Sequence, residues 1–241
     1  MPQIIDIGHK RQLDISIEVP ASPLTPVASN DQWDETYDQL ANLINQHRST
    51  LIFVNTRKQA ERITLNLAKR LGEEAVATHH GSLSRKTRLA AEHALKTGAI
   101  KALIATASLE LGIDIGFVDL VCQIGSPRVI AVALQRIGRA GHWRGAIPKG
   151  RLFATTRDEL VELAALVYAI NNGDLDKLII PEEPLDILAQ QIVAMCAADE
   201  WQEEKLLELI KRAYPYRNLD RQKYQKVLTM LSEGISAKRG H

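Results

Sequence analysis

Residues 13–19 alternate Leu13, Ile15, Ile17 and Val19 with Asp14, Ser16 and Glu18, the period of two expected of a half-buried strand. Pro20, Pro23 and Pro26 then interrupt regular structure and make a stiff linker. From Asp31 the period lengthens, and Trp33, Tyr37, Leu40 and Ile44 fall on one face of a helix. Thr50–Val54 has the length and composition of a buried strand, and Ala60, Ile63, Leu67 and Leu71 mark the next helix, stopped by Gly72. The alternation continues with strands at 75–79, 101–105, 118–124 and 151–155 and helices at 84–97, 129–139 and 157–171. Short apolar strands alternating with amphipathic helices predict an α/β fold, a parallel sheet with helices on both faces. Thr156-Arg157-Asp158-Glu159 has the form of a capping box opening the last of these helices.

After Pro181 the strand pattern stops and three helices are predicted, over 185–197, 202–213 and 221–232. The second and third are joined by Tyr214-Pro215-Tyr216-Arg217-Asn218-Leu219, which suggests a helix-turn-helix unit. A winged-helix domain would add a two-stranded hairpin, and Ile235–His241 is too short to supply one. The pattern divides the chain into a strand and Pro-rich linker over 1–30, an α/β domain over 31–180 and a small all-helical segment over 181–241.

The 241 residues carry 30 Lys+Arg against 29 Asp+Glu, so bulk charge announces neither a nucleic-acid nor a membrane partner. The distribution is uneven. Arg128–Arg151 holds six basic and no acidic residues, Glu182–Glu204 seven acidic and no basic ones, and Lys205–Lys226 seven basic and two acidic, which allows anions to be held at particular faces. Two cysteines, Cys122 and Cys196, cannot form a disulfide framework and read as reduced core thiols. With no apolar run of the ~20 residues a membrane span needs, the expectation is a soluble cytoplasmic protein.

Several candidate motifs have ordinary explanations. Gly145–Gly150 has the glycine spacing of a phosphate loop, but Arg151 stands where lysine is required and Leu152 offers no hydroxyl for magnesium, so it reads as a turn into a strand. Asp158-Glu159 lies in the first turn of a helix, where carboxylates suit the macrodipole. His79 and His80 are adjacent on a strand and point to opposite faces, which disfavours a shared metal. Trp33 has core spacing, Trp143 reads as a loop residue and Trp201 as an anchor of the second C-terminal helix. The strongest segment is Gln135-Arg136-Ile137-Gly138-Arg139-Ala140-Gly141-His142, where Arg136 and Arg139 are three apart and share one side of the predicted helix.

At this point the chain resembles the C-terminal RecA-like domain of superfamily 2 helicases, motif after motif. Leu51–Arg57 resembles their motif IV, His80-Gly81-Ser82 with Arg88 the following nucleic-acid-contacting turn, Ala105–Asp114 motif V and Gln135–His142 motif VI. The wording of Phe53–Arg57, His79–Ser84, Leu109–Gly116, Gln123–Arg128 and Pro184–Val193 is similar to the large-helicase-related family, over nearly the whole chain and including the first part of its winged-helix domain. The resemblance implies an ATP-dependent motor that translocates along single-stranded DNA and unwinds duplexes.

It further implies that Gly112 and Asp114 face the nucleotide, that Gln135 approaches the γ-phosphate and that Arg139 is the arginine finger. Arg136 and His142 would also stand among the nucleotide contacts, Arg136 bracing motif VI through ion pairing and His142 standing where many superfamily 2 proteins have a second arginine, a weaker anion ligand when neutral. Thr56, Arg57, Lys58, Gly81, Ser82 and Thr106 match positions that hold the nucleic-acid backbone. ATP and Mg2+ would be shared with a first RecA-like domain that carries the Walker motifs, and residues 1–30 would be the strand and linker left from it. On this reading the chain alone has no ATPase activity. The alternative is a non-catalytic nucleic-acid- or partner-binding module derived from a helicase. DNA, RNA and a hybrid remain open as substrates.

Overall fold

The computed structural model describes residues 12–109, 116–141 and 146–234. Within them, β1 (Asp14–Glu18), β2 (Thr50–Phe53), β3 (Val76–His79), β4 (Ala102–Ala105), β5 (Leu120–Ile124) and β6 (Lys149–Phe153) form one parallel sheet in the order β1-β6-β5-β2-β4-β3. Phe53 aligns with Ala105 on one side and Gln123 on the other, and Ala105 aligns with His79. The C-terminal ends of β5, β2, β4 and β3 are therefore level.

The pleat assigns the two faces. Ile52 and Val54 join Leu40 and Ile44 of α1 (Asn30–Gln46) and Ile63 and Leu67 of α2 (Arg57–Leu71) in one core. Leu51 and Phe53 point the other way, to Ala91 and Leu95 of α3 (Arg85–Thr97). On that second face, Ala133 and Ile137 of α4 (Ile130–Ile137) and Leu163 and Leu166 of α5 (Arg157–Asn172) pack on Leu152. The predicted three-layer α/β/α arrangement is the observed one.

Local chemistry sets the helix ends. Ser29 and Gln32 form a reciprocal capping box at the start of α1, with bonds of 3.2 and 2.7 Å. The box predicted at Thr156 is only half made. Its hydroxyl accepts from Glu159 N–H at 3.3 Å, but the Glu159 carboxylate turns to the backbone N–H and hydroxyl of Thr155, at 2.9 and 2.6 Å. The sixth strand starts at Lys149 rather than 151. Gly150 lies within it because a Cβ there would come 2.9 Å from Ile137 Cγ1, so this glycine serves the seating of α4 on the sheet.

The assignment of residues 1–30 to a missing domain needs correcting for its strand. Asp14–Glu18 pairs in parallel with Lys149–Phe153 as the edge of this same sheet, and Arg151 donates to both Asp14 carboxylate oxygens at 2.9 and 3.2 Å.

Lys177–His241 is a second compact unit. Its helices α6 (Leu185–Ala198), α7 (Glu203–Lys211) and α8 (Arg221–Glu233) enclose Leu188, Ile192, Leu206, Leu219, Tyr224 and Val227. Tyr216 donates to Pro184 O at 2.9 Å and closes the unit's first turn onto its second. Cys122 is buried, but Cys196 is exposed, and so is Trp201, because both project from this small unit rather than into its core. Among the described residues no helix is long and apolar enough to cross a membrane.

Candidate functional site

Because β2, β4 and β3 are adjacent and in register, the residues just past their C-terminal ends share one edge of the sheet, the usual place for ligand contacts in such folds. Thr56 caps α2 by accepting from Gln59 N–H at 3.1 Å, which puts Arg57 and Lys58, both exposed, in the first helical turn. The Arg57 guanidinium leans across to the turn after β3, where a Cβ on Gly81 would lie 3.9 Å from Arg57 Nη2. Gly81 and Ser82 are exposed, and Thr106 N–H donates to His79 O at 3.3 Å, tying the end of β4 to the end of β3. The six residues matched to the nucleic-acid track thus stand on neighbouring strand ends.

The two histidines hold this edge. His79 Nε2 meets Glu92 of α3 at 2.8 Å and its Nδ1 meets Ser108 Oγ at 2.8 Å. His80 Nε2 meets Glu61 of α2 at 2.7 Å, so the rings diverge to opposite faces of the sheet, as the pleat requires. His80 Nδ1 accepts from Ser82 N–H at 3.3 Å, which leaves the proton on Nε2 to be donated to Glu61. That bond folds the Gly81-Ser82 turn back on its own strand. Hydroxyls, a guanidinium, an ammonium and free turn geometry at one edge suit phosphate oxygens and read no base.

Motif VI lies at the other end of the sheet. α4 runs back against the strands, and Gly141 N–H donates to Val118 O at 3.0 Å, just ahead of β5. The helix stops at Ile137, not 139, because Arg139 N–H bonds to Arg136 O at 3.0 Å in a tightened last turn. Arg139 therefore follows the last helical residue rather than lying within α4. Gln135 is exposed and Arg139 half-buried at this end. Arg136, expected among the nucleotide contacts, is only 6% exposed, with its guanidinium 5.0 Å from the Phe53 ring centre and Nη1 donating to Gln123 Oε1 at 2.5 Å. The side chain thus joins α4 to β5 and β2, with an amide and a ring among its partners. Gly112, Asp114, His142 and Trp143 lie outside the described residues.

Four polar residues that the sequence reading did not single out connect the two ends. Gln123, 1% exposed in an otherwise apolar strand, donates to Ile124 O and Gly125 O at 3.0 and 3.1 Å. Asn55 Nδ2 donates to Ser126 O at 3.0 Å, and Ser126 Oγ accepts from Arg128 N–H at 3.1 Å. One signal was available, since a lone glutamine inside Val121–Ile124 must find partners when buried.

Residues 35–144 match the helicase conserved C-terminal domain, and residues 168–240 match the winged helix domain of large helicase-related protein. The ATP-dependent helicase Lhr-Core of Methanocaldococcus jannaschii is 42% identical over 235 residues, 98% of this chain and 28% of that protein. The chain belongs to the large-helicase-related family. The Lhr helicase/uracil glycosylase of Escherichia coli is 38% identical over 83% of this large-helicase-related chain and 15% of its own. The structure of Mycobacterium smegmatis helicase Lhr bound to ssDNA and AMP-PNP superposes with a TM-score of 0.85 at 37% identity, covering 92% of this chain and 30% of that one. The C-terminal domain of the DEAD-box protein Dbp5, at 24% identity and a TM-score of 0.50, shares the RecA-like fold. This large-helicase-related region spans less than a third of the curated relatives it matches.

Proposed function

We propose that this chain is the second half of an ATP-dependent helicase motor that tracks along single-stranded DNA. The observation that carries the reading is the polarity of one sheet: phosphate-gripping groups gather past the C-terminal ends of β2, β4 and β3, and Arg139 and Gln135 of motif VI stand at the opposite end. A rigid sheet with a nucleic-acid edge and a nucleotide edge can convert closure at one into displacement at the other.

Arg139, Gln135 and His142 of motif VI, with Gly112 and Asp114 of motif V, would face ATP. Bound ATP and Mg2+ supply the phosphoryl group and its charge neutralisation, and the first RecA-like domain would provide the Walker motifs and the metal ligands. Arg139 acts as the finger, placing a fixed cation where charge spreads over the transferred group. Gln135, exposed beside it, orients toward the γ-phosphate. On the other edge, Thr56, Arg57, Lys58, Gly81, Ser82 and Thr106 hold successive backbone phosphates.

The test is ATP turnover by the chain alone and mixed with a first-domain protein of the same family, each with and without single-stranded DNA. Turnover only in the mixture, stimulated by DNA, is the expected result. DNA binding with no turnover in any mixture would favour the non-catalytic binding module.

A further inference from the structure

Arg128 has a φ of 62°, in the left-handed region that a long side chain rarely enters. Such conformations persist only where the surroundings enforce them. Here the enforcement is visible. The buried Gln123 amide holds Gly125 O at 3.1 Å, Asn55 holds Ser126 O at 3.0 Å, Pro127 restricts the next peptide, and Ser126 Oγ accepts Arg128 N–H at 3.1 Å. Every one of these bonds acts on the backbone of the loop. None uses the guanidinium, which is exposed and, among the described residues, engages no hydrogen bond or ion pair. The fold therefore strains a loop to display a cation that none of the loop's own hydrogen bonds uses.

The display has a definite place. Arg128 follows the end of β5, and β5 is the neighbour of β2 on the side away from β4 and β3. Asn55, which ties the loop down, immediately precedes Thr56 and Arg57. With strands ~4.8 Å apart, the four neighbouring strand ends that lead to Arg128, Arg57, Thr106 and Ser82 span about 14 Å. The side chain lines a cavity of about 550 Å³ with Ile130, Leu166, Glu162 and Asp176. Of its two carboxylates, Asp176 is already used: it accepts Ala131 N–H at 2.9 Å, and that bond holds its carboxyl below the usual carboxylate range. Glu162 is exposed.

We propose that Arg128 is a further contact of the nucleic-acid track, taking a backbone phosphate of the single strand beyond those held at Arg57 and Ser82. The proposal rests on reading this edge as the nucleic-acid edge. It explains why an arginine occupies a position that glycine would fill without strain.

The experiment measures binding of a labelled oligo-dT to the chain at several salt concentrations, for wild type, Arg57→Ala, Arg128→Gly and Arg128→Lys, with a melting midpoint for each. Glycine accepts φ 62° freely, so Arg128→Gly should melt no lower than wild type. It should nonetheless bind several-fold more weakly, with the slope of log K against log salt flatter by about 0.7. Arg128→Lys should recover most of that slope. If Arg57→Ala weakens binding and Arg128→Gly leaves affinity and slope unchanged, the Arg128 assignment is wrong and the edge stands. If Arg128→Gly lowers the melting midpoint along with binding, the arginine belongs to the fold rather than the track. If wild type does not bind, or Arg57→Ala has no effect either, the nucleic-acid edge itself is wrong and Arg128 falls with it.

Discussion

Arg136 donates through Nη1 to Oε1 of Gln123, and both side chains are buried. The glutamine's nitrogen faces the opposite way, to the carbonyls of Ile124 and Gly125, so one amide satisfies a buried cation from motif VI and the loop that ends β5. A buried polar pair of this kind is stable only while both partners are present.

Replacing Gln123 with leucine keeps the volume and removes the acceptor. Gln123→Leu should cost about 1–3 kcal/mol, the penalty for removing one side of a buried hydrogen-bonded pair, read as a lower urea midpoint. An unchanged midpoint would show that the pair does not contribute to stability.

Gly125 and Gly98 both have positive φ, 72° and 75°, but only Gly125 is crowded, with Glu159 Oε1 2.7 Å from where a Cβ would stand. Gly125→Ala should therefore destabilise by clearly more than Gly98→Ala, whose cost is the conformational term alone, about 1–3 kcal/mol for a left-handed non-glycine residue. Unfolding of the two variants side by side isolates the steric part. Equal losses would mean that Glu159 simply moves away.

Gly81→Leu should push the Arg57 guanidinium out of place, since the built Cβ already lies 3.9 Å from Nη2. Single-strand affinity is expected to fall while the melting midpoint holds. Gly81→Ala, at ordinary contact distance, should bind almost as wild type does. If leucine binds as well as alanine, Arg57 is not positioned by this turn.

In a reconstituted two-domain motor, Arg139→Ala should lower ATP turnover by about 10³-fold or more, with single-strand binding nearly normal. Arg139 and the proposed single-strand contacts lie at opposite ends of the sheet, so the losses should separate. A parallel loss of DNA binding would place Arg139 on the other edge.

Tyr224 is buried between helices and its hydroxyl donates to Glu203 O at 3.2 Å; burial, with nearby Glu203, pushes its pKa from 10.0 up to about 12. The folded unit binds the phenol proton more tightly than the unfolded chain. Its contribution is thus complete below pH 10 and is lost as pH rises toward 12. Helicity of the C-terminal unit should fall across that window, and Tyr224→Phe should remove this component. A loss of helicity that is the same in Tyr224→Phe would assign it to other groups.

The elements were legible because each carries its own period: Leu51 to Val54 reads as a buried strand, and Ala60, Ile63 and Leu67 as one helix face. A helix end slipped where a single backbone bond decides it, as with Arg139 bonding back to Arg136, and the Thr156 capping box came out half made because Glu159 turns to Thr155. Alternation identified β1 as a strand but not its partner, since pairing with β6 is a tertiary fact. The gathering of Thr56, Arg57, Gly81, Ser82 and Thr106 followed from motif order on parallel strands. Asn55, Gln123 and Arg128 stayed hidden because their significance is a set of hydrogen bonds between segments about 70 residues apart and one backbone angle.

The pairing of Asp14 with Lys149 joins the first described strand of this sheet to the last. During synthesis β1 emerges long before β6 exists, and until Phe153 is clear of the ribosome that strand lacks the one hydrogen-bonding neighbour it has among the described residues. Closing so long a loop carries only a slowly growing entropic cost at equilibrium, but it delays the step in time. The edge strand should therefore zip up last and fray first, so that amide hydrogen exchange at Ile15 and Ile17 runs ahead of exchange at Leu51 and Leu103. The same lag leaves Leu13, Ile15 and Ile17 as a bare apolar ribbon on the growing chain, the segment most in need of a chaperone's cover.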